Sequence, residues 1–199
     1  MVAFAKIEPI TRTIQLDDDA RKAGERIVRI KRRNPKLKVM LSIGGWENAS
    51  DGFVDVVRTQ ATRDAFNFHV ANWLRNNDYD GLDINWEYPG AKERGSSPED
   101  KERFSIWVKD LQSMFLAEAE GRRMKKLILS AAVPASSYWV SKGYDVPKIC
   151  PFLDFVNLMA YDLHGTWVKP MRTGHHAGLT VGGGVQFSVE EAVKIWIHQ

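Results

Sequence analysis

Residues 80–89 read Asp80-Gly81-Leu82-Asp83-Ile84-Asn85-Trp86-Glu87-Tyr88-Pro89. Side chains on a strand alternate between its two faces. Leu82, Ile84 and Trp86 therefore point one way, and Asp83, Asn85 and Glu87 the other. The first set suits packing under covering helices. The second is a polar column with neighbours roughly 6–7 Å apart. Polar groups turned into a protein cost free energy unless they are paired or solvated. A wet edge strand would not need so apolar a second face. A parallel sheet with a cleft at its carboxyl edge does, and Glu87 stands at that end.

The rest of the chain supports such a sheet. Val2 to Ile7, Lys38 to Ile43, Gly81 to Tyr88, Leu127 to Val133 and Leu153 to Tyr161 read as five apolar strands. Helical periods lie between them. Asp17-Asp18-Asp19 supplies a cap and first-turn acids for a helix through Arg33, with Ala20, Ala23, Ile27 and Ile30 as its expected inner stripe. Phe66, Val70, Trp73 and Leu74 mark a helix over 62–76. Ser97-Pro98-Glu99-Asp100 predicts a helix start with Ser97 as cap, and Phe104, Trp107, Val108, Leu111 and Phe115 its buried stripe. Ser188 and Glu191 form a capping box for a last helix through Trp196, after a glycine-rich loop from Gly174 to Val185. Continuous apolar strands alternating with amphipathic helices make one α/β domain over residues 1–199. A doubly wound sheet and a barrel share this pattern.

Composition excludes several classes. Of 199 residues, 44% are hydrophobic and 27% charged, as in an ordinary globular chain rather than a disordered or collagen-like one. No apolar run approaches the ~18–20 residues that span a bilayer. The formal charge is only +3, and the one basic run, Arg26 to Lys38, reads as a solvated helix face and turn. Neither a nucleic acid nor a membrane is expected as a partner. Cys150 is the single cysteine, so no internal disulfide and no cysteine-ligated zinc can form. It is expected as a small packed residue beside Pro151. His175-His176 lack a third ligand at suitable spacing, so no metal or cofactor is expected. Met1 to Ala5 meets Glu8 without a basic leader, so no signal peptide is expected here.

A glutamate among carboxyl groups and aromatic rings tends toward a raised pKa, which makes Glu87 a candidate general acid. Asp83 would polarise its neighbours through hydrogen bonds. Asn85, between them, is a neutral amide.

This strand resembles the DxxDxDxE strand of the family 18 glycoside hydrolases, the chitinase family. KVMLSIGGW at 38–46 is similar to the family's SxGG strand, and LSAAVPA at 129–135 and LDFVNLMAYDLHG at 153–165 to later strands. AFAKIEP at 3–9 resembles its second strand and TGHHAGL at 173–179 a following loop. The resemblance implies Glu87 as catalytic acid and Asp83 as the motif's inner aspartate. Tyr161 and Asp162 match the pair that contacts the sugar's N-acetyl group. It further implies substrate contacts from Phe4, Ser42, Trp46, Tyr88 and Met159. His164, beside the same motif, is expected near the cleft. The implied partner is chitin or its oligosaccharides, and family members are commonly secreted.

Two departures stand out. The family's aspartate two residues before the acid is Asn85 here, which carries no charge to balance a developing cation. Hydrolysis is therefore expected to be weak or absent while sugar binding survives. The second is length, because a complete (β/α)8 barrel needs about 250 residues. The expectation is a partial barrel of about five strand–helix units, without counterparts of the family's first and last two strands. Its open edges predict self-association. A weak chitinase, a chitinase-like lectin and a non-functional fragment are the three readings this leaves.

Overall fold

The computed structural model describes residues 1–169, 171, 173–182 and 187–198. Part of the glycine-rich loop expected at 174–185 lies outside the described residues. The strands are β1 (Val2–Ile7), β2 (Ile14–Gln15), β3 (Met40–Gly44), β4 (Gly81–Asn85), β5 (Ile128–Pro134) and β6 (Phe155–Met159). The helices are α1 (Asp18–Ile30), α2 (Phe53–Val57), α3 (Gln60–Asn76), α4 (Asp100–Arg122), α5 (Ser137–Gly143), α6 (Val146–Ile149) and α7 (Val189–Ile197). They form one sheet in the order β2-β1-β3-β4-β5-β6, parallel throughout except for β2, which runs antiparallel to β1.

The five parallel strands are those expected, with β4 and β6 shorter at both their predicted limits or at one of them. Neighbouring strands in sequence are neighbours in space from β3 onward, each joined by helical segments on the outer face. This is the βα repeat that fills one arc of a barrel wall.

The outer face holds the core. Leu41, Ile43, Leu82, Ile84 and Trp86 are buried against Phe53, Phe66, Phe104, Trp107 and Leu111 from the helices. Trp86 stacks on Phe53 with ring centres 5.1 Å apart and meets Phe104 edge-on. Its indole N–H donates to Ser50 Oγ at 2.9 Å, and that of Trp107 donates to Asn67 Oδ1 at 3.0 Å. These two large rings thus bury their area without orphaning their polar atoms.

Several local expectations change. The inner side of α1 is Gly24 with Ile27 and Val28, while Ala23 and Ile30 face solvent. A Cβ on Gly24 would stand 2.2 Å from the Tyr79 hydroxyl, so the helix packs there by lacking a side chain. The α4 helix starts at Asp100 rather than after Ser97. The buried Asp100 carboxylate accepts from Ser97 N–H and Ser96 Oγ, both at 2.8 Å, and ties the preceding turn to the first residue of the helix, while Glu99 at the cap position makes no side-chain cap bond. Cys150 is exposed rather than packed. The Ser188–Glu191 capping box of α7 forms as read, with both reciprocal bonds present.

Candidate active site

The site grows from register. Along β3, β4 and β5, Ser42 lies opposite Asp83 and Asp83 opposite Ser130. Residues in register on parallel strands share a face. Asp83 is only 3% exposed, and its carboxylate accepts from Ser42 Oγ at 2.7 Å, Ser130 Oγ at 2.7 Å and Asn157 Nδ2 at 2.9 Å. Four adjacent strands therefore converge on one carboxylate, and every donor it needs comes from the inner face of the sheet. That arrangement keeps a buried anion tolerable.

Asn85 sits one step further along β4 and is 6% exposed. Its Oδ1 is buried and accepts no hydrogen bond within the described structure. Glu87 comes two residues later, beyond the end of β4, and is 7% exposed. Burial pushes its pKa up, while the Tyr88 hydroxyl and the Arg94 charge pull it partly back. The Tyr88 phenol is driven up by burial and by the Glu87 carboxylate beside it. The peptide bonds Ala3–Phe4 and Glu87–Tyr88 are both cis.

Above this column opens a cleft of about 810 Å³. Asn85, Glu87, Tyr88, Met159, Tyr161 and Asp162 line it together with Phe4 and Trp46. Phe4 reaches it where the pairing of β1 with β3 shifts register between Val2 and Ala5. Two glycines make room. A Cβ on Gly44 would stand 2.1 Å from the Asn85 carbonyl oxygen, and one on Gly45 would stand 2.8 Å from the Phe4 ring. Both also have positive φ, 103° and 88°, which disfavours any side chain.

Three expected residues stand elsewhere. Ser42 is 2% exposed and spends its hydroxyl on Asp83, so it supports the column instead of touching a ligand. Asp83 is likewise beneath the cleft, absent from its lining, and acts through its neighbours. His164 does not line the cleft either; its ring packs against Gly174. Tyr161 is half exposed, with its hydroxyl pKa raised by burial and by the charges of Glu87 and Asp162. Asp162 has φ 53°, and the loop at 173–179 meets it: the Asp162 N–H donates to His176 Nδ1 at 3.3 Å.

The structure adds residues that sequence spacing did not single out. Trp139 stacks on Tyr88 with centres 4.8 Å apart and joins the cleft wall, as does Trp167. Arg94 donates from Nε to the Glu87 carbonyl at 3.0 Å and lies over the Trp46 ring. Asn157 was the fourth member of the Asp83 cluster; its place in register with Ala132, on the face shared by the column, was the available signal. Among the described residues no group of three His, Cys, Asp or Glu side chains could hold a metal ion. No described helix is long and apolar enough to cross a membrane.

A buried carboxyl of raised pKa at the carboxyl edge of a parallel sheet, beside a group of aromatic rings, is an arrangement found at the open end of a β/α barrel. The chain matches the model for glycosyl hydrolases family 18 over residues 1–199, and it belongs to that family. It is 41% identical over 175 residues to chitotriosidase-1 of Mus musculus, covering 85% of this chain and 37% of that protein. Chitinase-3-like protein 2 of Homo sapiens is 36% identical over 175 residues, covering 85% and 43%. Among solved structures, an immunomodulatory active chitinase from Trichuris suis superposes with a TM-score of 0.86 at 32% identity, covering 98% of this chain and 52% of that one. Human YKL-39, described as a pseudo-chitinase with retained chitooligosaccharide binding properties, gives 0.85 at 34% identity, covering 98% and 53%. The chain thus spans 37% to 53% of the length of these relatives, and its fold is a partial (β/α)8 barrel of the chitinase type.

Proposed function

We propose that the cleft binds β-1,4-linked N-acetylglucosamine oligomers and that Glu87 supports at most slow hydrolysis of them. The observation carrying this reading is the pairing of a buried, pKa-raised Glu87 with an uncharged Asn85 on the same strand face. The aromatic lining from Phe4, Trp46, Tyr88 and Tyr161 suits the apolar faces of sugar rings.

In family 18 chemistry no protein carboxylate attacks the sugar. The substrate's acetamido oxygen bonds to the anomeric carbon as the glycosidic C–O bond breaks. Glu87 gives its proton to the leaving oxygen. Water then opens the oxazolinium ring, returning a proton to Glu87. Tyr161 would hold the acetamido oxygen in line, a positioning effect. Asn85 can accept a hydrogen bond from the acetamido N–H, and its unpartnered Oδ1 is an acceptor in waiting. It brings no negative charge to the cation, and loss of one preorganised electrostatic contact typically costs roughly 10²–10³ in kcat.

A second reading is sugar binding with no turnover. The uncharged Asn85 favours it, and a structural neighbour that retains chitooligosaccharide binding as a pseudo-chitinase supports it. Calorimetric titration with chitotetraose and with cellotetraose, which lacks acetamido groups, tests the shared claim. Chitotetraose binding with no cellotetraose binding is expected. Equal binding of both, or of neither, overturns it. Product analysis after long incubation then separates slow hydrolysis from none.

A further inference from the structure

We propose that Arg94 is a positioning residue of the cleft, one guanidinium that holds the Trp46 ring and the Glu87 main chain in a fixed relation. The proposal deepens the sugar-binding reading above and rests on it for its functional meaning.

Trp46 and Glu87 arrive at the cleft from different strands. Trp46 comes two residues after the end of β3 at Gly44, and it is 54% exposed. An indole so exposed has little packing to fix its plane. Glu87 follows β4, where regular strand pairing has ended at Asn85. Neither position is held by the sheet ladder.

Arg94 reaches both. It lies in a short turn, Lys92–Arg94, closed by Gly95 with φ 79°. Its Nε donates to the Glu87 carbonyl at 3.0 Å. Its Nη2 donates to the Trp46 carbonyl. Its Cζ stands 3.8 Å from the centre of the Trp46 ring. A planar, multiply donating cation performs all three tasks at once, and an ammonium cannot. The stacked face of the guanidinium orients the indole, and the fork ties two backbone carbonyls from two strands.

The charge acts on the same side of the cleft. Arg94 draws the Glu87 pKa downward against burial, and it opposes the rise of the Tyr88 phenol. The same side chain therefore bears on the aromatic wall and on the acid. Holding the wall before sugar arrives removes an ordering cost from binding.

Arg94→Ala and Arg94→Lys, made in the full chain, test this with two structural readouts and one functional readout. The first is the 19F signal of 5-fluorotryptophan at position 46, assigned with Trp46→Phe. The second is the carboxyl 13C titration of Glu87, assigned with Glu87→Gln. The third is calorimetric affinity for chitotetraose.

Arg94→Ala is expected to shift the Trp46 signal, raise the Glu87 midpoint and weaken chitotetraose binding by about tenfold. Arg94→Lys keeps the charge but not the fork or the stack. It should return the Glu87 midpoint toward the wild-type value while leaving the Trp46 signal displaced. An Arg94→Ala protein with unchanged Trp46 signal and unchanged Glu87 midpoint overturns the proposal. A wild-type chain that binds no chitotetraose overturns the sugar-site reading instead, and the two spectroscopic readouts still decide the role of Arg94.

Discussion

Asp83 and Asn85 stand two residues apart on one face of β4 and are served in opposite ways. The Asp83 carboxylate accepts three hydrogen bonds from Ser42, Ser130 and Asn157. The Asn85 amide oxygen, equally buried, accepts none. The lower group is satisfied by the fold, and the upper one has no hydrogen-bond donor among the described residues.

Asp83 is thus a keystone of stability as well as of the site. Asp83→Ala leaves two buried hydroxyls and an amide without their acceptor. A loss of about 3 kcal/mol is expected, read as a lower urea midpoint with an unchanged slope.

Asn85→Asp restores the charge that family chemistry uses at this position. Hydrolysis of a fluorogenic chitin oligomer is expected to rise by roughly 10²–10³. Equal rates in the two proteins would show that the missing charge at position 85 does not limit turnover.

Glu87 has its pKa raised chiefly by burial, so the folded state holds its proton more tightly than the unfolded chain. Its contribution to stability is full below the ordinary glutamate value of about 4.3 and is lost as pH rises through the higher folded value. Glu87→Gln has no such dependence. The variant is expected to gain stability relative to wild type as pH rises across that window, and the gap should close again below it. Thermal melts at several pH values check the sign.

Trp86 carries the opposite face of the same strand. It is fully buried, stacked on Phe53 and hydrogen bonded to Ser50. Trp86→Ala is expected to cost about 3–5 kcal/mol, visible as a large fall in melting temperature. A small change would mean that the helices hold the outer face without it.

Much of this was legible in residues 80–89. Alternation separated Trp86 from Glu87 and set the two faces correctly, because strand geometry acts locally. The five parallel strands followed from apolar runs bounded by turns. What sequence could not supply was long-range and sub-periodic. The helices α5 and α6 are seven and four residues long, too short for a helical period to register. Gly24 carries no periodic signal of its own, yet a Cβ there would stand 2.2 Å from the Tyr79 hydroxyl. Ser42 carried a matching motif, but its hydroxyl is turned to Asp83 across the strand gap. Arg94 touches Trp46 across 48 positions of chain, and no spacing rule reaches that far.

The last strand carries its own consequence. Among the described residues β6 has a neighbour, β5, on one side only, and Phe155 at its start is 43% exposed. Backbone amides there lack the double-sided protection of β3 and β4. Deuterium should enter this span from β6 inward, with the amides of the Asp83 strand the last to exchange. Glu87 would thereby extend from a slow-exchanging strand, while the segment bearing Tyr161 and Asp162 continues from the edge strand β6.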